Sequence, residues 1–188
     1  MRGCVAPGRS DGDAPRWPGS AMTRILRPSP LTGADFAPFG DVLAAEGAPD
    51  RIINAGLCGR WHDRARLDFG PEGRAGISVF DAVPRGLPYS FSLVERHPLG
   101  SQAFVPMTLN SFLVIVAPDQ DGRPGTPRAF RTAPGQGVNI LRNTWHGVLA
   151  PVQAPGLFAV IDRIGDAPNL EEFTYSGEWV VVSGNMVS

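Results

Sequence analysis

Residues 93–104 read LVERHPLGSQAF, and within them Glu95, His97 and Gln102 stand at the spacing ExHxxxxQ. Glu95 and His97 are two apart in a strandlike stretch, which puts both side chains on one face, roughly 7 Å apart along the strand. They can therefore converge on a single ion. The turn HPLG follows and Gln102 opens the next strand, so a hairpin there would bring its amide oxygen back beside His97. An isolated ExH is also what a solvent-facing polar strand face looks like, and a buried glutamine often only satisfies backbone groups. The rest of the chain has to decide between these readings.

Around this stretch the pattern is that of strands. With 23 glycines and 19 prolines spread through 188 residues, apolar runs stay short and turn signals recur, which favours an all-β sandwich or barrel. The predicted strands are 77–82, 89–96, 102–106, 111–117, 128–132, 138–141, 147–150 and 157–163. Between them lie PRGLP, APDQDGRPGTP, APGQG and APVQAPG, each a turn signal. Helical periodicity is weak. One short helix is predicted over 32–39, with Thr32 as cap and Asp35 in the first turn, and a second near 64–69. The acidic NLEEF and the following GEWVVVSG read as an edge strand or as a segment packing on a partner subunit.

Composition narrows the function. The hydrophobic fraction of 43%, charged fraction of 19% and net charge of −1 suit one domain with its own core. They offer no field for nucleic acid or an anionic membrane, leaving a small molecule or another protein as partner. All 17 basic residues are arginines, so a lysine Schiff base is excluded and an anionic substrate would be held by a guanidinium. Cys4 and Cys58 form neither a zinc pattern nor a disulfide framework, which points to a reducing cytoplasm. Residues 1–21, rich in Gly, Pro, Arg and Asp, read as a disordered extension or a misassigned start. The domain is then 22–188, opening at Met22.

Only His62, His97 and His146 are available for imidazole chemistry, and His146 closes GVNILRNTWH (137–146). ExHxxxxQ followed after several strands by a glycine turn and a lone histidine is similar to the two motifs of the cupin barrel. Longer words carry the resemblance further: INAGLCGRWHD (53–63), ISVF (77–80), VERHPLGSQAFVPM (94–107), RAFRTAPGQGVNILRNTWHGVL (128–149) and FAVIDR (158–163). In that order they resemble ureidoglycolate lyase, a cupin of allantoin degradation. Many members of that family carry a tyrosine and two further histidines where this chain has Ile140, Leu141 and Gly147, so His146 is the one histidine of its strand.

The resemblance implies a mostly β, cupin-type barrel with a few short helices, homodimeric and cytoplasmic, that cleaves ureidoglycolate to glyoxylate and urea for nitrogen utilisation. It implies Glu95, His97, Gln102 and His146 as ligands of a divalent metal, nickel first, with manganese, iron and zinc open. Metal-free catalysis by the same side chains is the other course: Glu95, His97 and His146 as acid and base, with His62 a further catalytic candidate. Arg142, which shares strand parity with His146 if that stretch is extended, is the first candidate for the substrate carboxylate. Arg163 is the second, and Asn54 and Asp162 complete the substrate-binding set. Two alternatives stay open: another cupin enzyme acting on a related small hydroxy or amido acid, and a noncatalytic cupin that binds a small carboxylate.

Overall fold

The computed structural model describes residues 23–183, and the tail expected over 1–21 lies outside the described residues. FLVIVA, the strand Phe112–Ala117, is buried at all six positions. A strand with one wet face alternates in hydrophobicity, whereas this unbroken apolar run means that both faces are covered. Phe112, Val114 and Val116 point into one cluster; Leu113, Ile115 and Ala117 point into the other.

The first cluster fills a barrel closed by two sheets. The larger, eight-stranded sheet runs in the order Arg24–Leu26, Glu171–Val181, Tyr89–Arg96, Trp145–His146, Phe112–Ala117, Arg128–Arg131 and Ser29–Pro30, with Ala150–Pro151 also on Phe112–Ala117. The smaller sheet of five orders Gly40–Leu43, Gly137–Ile140, Gln102–Pro106, Leu157–Ile164 and Arg74–Asp81. Phe130 from the first sheet and Phe104, Val138, Ile140, Phe158 and Val160 from the second meet in the barrel core. Behind the larger sheet, Trp145, Tyr175, Trp179 and Val181 cover its outer face. This is the mostly β, cupin-type architecture.

Most predicted strands lie within a residue or two of their observed bounds, and 89–96 and 102–106 coincide with them. Three expectations about the sheets need correction. The strand predicted over 147–150 is instead two short pairs on Phe112–Ala117, Trp145–His146 and Ala150–Pro151. The C-terminal strand is not an edge: it pairs with Tyr89–Arg96 on one side and Arg24–Leu26 on the other. HPLG does not close a hairpin. Tyr89–Arg96 pairs within the larger sheet and Gln102–Pro106 within the smaller, so the corner carries the chain across the barrel. Gly100 is needed there, because a Cβ would sit 2.8 Å from Arg163 Cβ and 3.0 Å from the Asp68 carbonyl oxygen.

The first helix is Gly33–Phe36, shorter than predicted, with the Thr32 hydroxyl accepting from the Asp35 amide as its cap. No helix forms over 64–69. The Arg66 amide is taken by Asp41 (2.8 Å), the Asp68 amide by Ser101 (2.8 Å), and the Arg66 carbonyl by Asn139 (3.1 Å). With these backbone groups paired to side chains of the smaller sheet, the segment lies across it as a strap rather than coiling. No helix among the described residues is long and apolar enough to cross a membrane.

Candidate active site and metal centre

Strand register assembles the site. His146 stands directly opposite Glu95 on one side and Val116 on the other, and Val116 points into the barrel core. Opposed residues share a face, so Glu95 and His146 face inward too, and His97, two past Glu95, follows them. One donor atom from each of Glu95, His97 and His146 lies within 4.8 Å of the others. Glu95 Oε1 is 3.6 Å from His146 Nε2, and the two imidazole centroids are 5.2 Å apart. Gln102 approaches from the opposite sheet, where it pairs with the core residue Ile140.

Backbone carbonyls set the histidine tautomers. His97 Nδ1 is 2.6 Å from the Asn169 carbonyl oxygen and His146 Nδ1 is 3.0 Å from that of Thr144. A carbonyl oxygen only accepts, so in each neutral ring Nδ1 carries the proton and Nε2 keeps its lone pair. Both Nε2 atoms, and Gln102 Oε1, are buried without a hydrogen-bond partner. Buried unpaired acceptors are costly and rare. Two imidazole nitrogens, a carboxylate and an amide oxygen that share one interior fit a divalent cation, and orientation of a ligating histidine by a carbonyl on its other nitrogen is the usual arrangement around such ions.

Burial separates the titrating groups. Desolvation, opposed by the Thr144 carbonyl and reinforced by His97, lowers the His146 pKa to about 4, so the ring is neutral at neutral pH. The Glu95 pKa moves the other way: burial raises it, His97 opposes, and the Glu172 carboxylate opposite adds to the rise. An acid held back from ionising and a base held neutral therefore stand side by side.

The outer face of the same strands locks this register. Arg96, between Glu95 and His97, pairs with Glu171 at 2.6 Å and Asp119 at 2.9 Å. Its guanidinium lies 4.3 Å from the centroid of the Trp145 ring, and Trp145 Nε1 donates to Asp119 at 2.8 Å. Asn169 works on the inner side: its side chain accepts the Leu99 amide at 2.7 Å while its carbonyl holds His97. Asn169, Glu172 and the Arg96 network were not legible in the sequence. Their partners are backbone atoms or residues more than twenty positions away, and only the turn-forming DAPNL hints at a special role for Asn169.

The remaining predicted residues are not part of the Glu95–His97–His146 group. The parity reading of Arg142 fails because 141–144 is a turn, with Asn143 at φ 65 and the Thr144 amide bonded to the Leu141 carbonyl. Arg142 lies exposed beside the corner, with Nε donating to the Pro98 carbonyl and NH1 3.7 Å from Asp68. Asp162 follows the inward alternation of Phe158 and Val160 and keeps a buried, unpaired Oδ1. Arg163 takes the opposite face, lodged against Gly70, Gly73, Gly100 and Gly165. Asn54 is an exposed tip residue of the hairpin Arg51–Arg60, at φ 53. His62 is exposed on the following segment, held through its amide by Asp50 at 2.9 Å. Neither joins the cluster. Ile140 contributes apolar surface to the barrel core, and a side chain at Gly147 would contact Ile115 in the outer cluster rather than enter the site.

Comparison with known proteins agrees with this geometry. The family profile described as "Ureidoglycolate lyase" matches residues 23–182. "Ureidoglycolate lyase" of Rhodobacter capsulatus is 67% identical over 152 residues, covering 81% of this chain and 94% of that protein. "Ureidoglycolate lyase 2" of Rhizobium meliloti is 52% identical over 153 residues (81% and 94%), and "Ureidoglycolate lyase" of Chelativorans sp. is 54% identical over 155 (82% and 93%). With the family profile matching residues 23–182 and 67% identity to one relative over 152 residues, the chain belongs to the ureidoglycolate lyase family.

Proposed function

We propose that this chain is a carbon–nitrogen lyase that cleaves ureidoglycolate to glyoxylate and urea in purine breakdown, acting in the cytoplasm. The observation that carries the reading is the enclosed Glu95–His97–His146 cluster with two unpaired Nε2 lone pairs, in a chain of this family. The substrate is a carbinolamide, one carbon bearing a hydroxyl, a carboxylate and a ureido nitrogen. In the elimination the hydroxyl proton leaves, its O–H electrons form the carbonyl, the C–N bond breaks, and the departing nitrogen gains a proton.

Glu95, His97, Gln102 and His146 would hold the divalent ion, nickel being the favoured metal. When bound, such an ion lowers the pKa of the substrate hydroxyl and fixes its orientation. Without the ion, the same side chains act as acid and base themselves. The imidazoles, kept as Nδ1–H tautomers by Asn169 and Thr144, present lone pairs to the hydroxyl proton. Glu95, held towards its protonated form by burial, supplies the acid for the departing nitrogen. Arg142, braced against Pro98 next to His97, is the guanidinium offered to the substrate carboxylate. Val116 beside His146 and Ile140 beside Gln102, both buried in the barrel core, keep the surroundings apolar, which strengthens each of these interactions.

The active unit is a homodimer. Arg74–Asp81 is an edge strand of eight residues on which Ile77 and Val79 are 77% and 67% exposed. An unpaired apolar edge of this length is a surface that soluble proteins cover. Light scattering during gel filtration checks this, and Val79→Asp should yield monomers.

The deciding experiment follows urea and glyoxylate release by the purified protein before chelation, after it, and after addition of single divalent metals. Equimolar release of both products supports the lyase. No release with any metal sinks it. Full activity in the chelated protein, with no metal by elemental analysis, assigns the chemistry to the side chains alone. His97→Ala should lower kcat/KM by about a hundredfold or more.

A further inference from the structure

The row across the larger sheet does not end at Glu95. Glu172 of the strand Glu171–Val181 stands directly opposite Glu95, whose other neighbour is His146. Opposed residues present their side chains to the same face, and adjacent strands lie about 4.8 Å apart. Since Glu95 and His146 meet inside the barrel, Glu172 stands on that same face, one strand further towards solvent. Its sequence neighbour Glu171 points the other way and is spent on Arg96. Glu172 is exposed, and no ion pair among the described residues engages it.

An exposed, unengaged carboxylate at the mouth of a site has a use if the ligand brings N–H donors to it. The substrate proposed above has two chemically distinct ends. Its carboxylate is repelled by Glu172 and drawn to Arg142. Its ureido end is neutral and presents two N–H donors along one edge, the pattern that a carboxylate accepts with both oxygens. We infer that Glu172 is a specificity-determining residue that accepts the ureido N–H groups and so fixes which end of the substrate points out of the barrel. This rests on the lyase reading. It differs from a purely structural role in that only ligands carrying a ureido group should be sensitive to it.

The test uses two unreactive competitive inhibitors that differ at that end: ureidoacetate, with a ureido group and a carboxylate, and glycolate, with a hydroxyl and a carboxylate. Wild-type turnover is measured first, and its absence overturns the lyase reading and this inference together. In an active enzyme, Glu172→Ala and Glu172→Gln should raise KM for ureidoglycolate and Ki for ureidoacetate by roughly tenfold or more, the loss of a charge-assisted pair of hydrogen bonds. Ki for glycolate should stay within about twofold, as for any surface change that the ligand does not touch. Glu172→Asp should recover part of the ureidoacetate affinity. Equal shifts in both inhibitors, or no shift in either, overturn the assignment of Glu172 while leaving the lyase reading standing.

Discussion

Acidification should weaken the metal-free fold through His146 in particular. The ring is fully buried and its pKa falls from 6.5 in the unfolded chain to about 4, so between those values the unfolded chain binds the proton and the native state does not. The stabilisation is complete above pH 6.5 and is lost as pH falls through 4. At 1.36 kcal/mol per pH unit for one proton, the whole window is worth about 3 kcal/mol, a large part of the 5–15 kcal/mol typical of a domain. Glu95 works in the opposite direction. Its raised pKa means that the native state holds its proton longer than the unfolded chain does, so its contribution is present at low pH and lost as pH rises through the native value. The two are separated by difference. Urea unfolding of chelator-treated wild type and His146→Gln, from pH 7.5 to 4, should give a stability gap between them that narrows by about 1.4 kcal/mol per pH unit below 6.5. Two pH profiles that run parallel would refute the account, since the ring would then carry no proton difference between the folded and unfolded chains.

Other expectations follow from the same geometry. Asn169→Ala removes the acceptor that holds the Leu99 amide and loosens the carbonyl that orients His97. Metal affinity measured by competition with a chelator should fall by about 10- to 100-fold with the fold intact by circular dichroism. His62→Ala, exposed and outside the cluster, should leave kcat/KM within about twofold and thermal stability within about 0.5 kcal/mol. Gly40→Ala should cost about 3 kcal/mol or more in a denaturant titration, because the new Cβ would lie 2.0 Å from the Asn139 carbonyl oxygen and 2.7 Å from the Phe36 ring, beyond what ordinary repacking absorbs.

The sequence by itself determined the strands and the ligand face. Alternation placed Glu95 and His97 together, the apolar run of FLVIVA marked a strand, and Thr32 announced its cap, because each is a property of a few neighbouring residues with a fixed geometric period. It also supplied the one histidine of GVNILRNTWH. The tertiary structure decided everything that depends on which strand lies beside which. HPLG is a corner between sheets and not a hairpin, so Gln102 faces the cluster across the barrel instead of flanking it. Arg142 fell out of strand parity because Asn143 turns left-handed just before His146. Asn169 and Glu172 entered the site through a backbone carbonyl and a register match that reach across more than seventy residues of chain. Pairing of that kind is fixed by packing and by the closure of the barrel, and no local pattern of side chains encodes it.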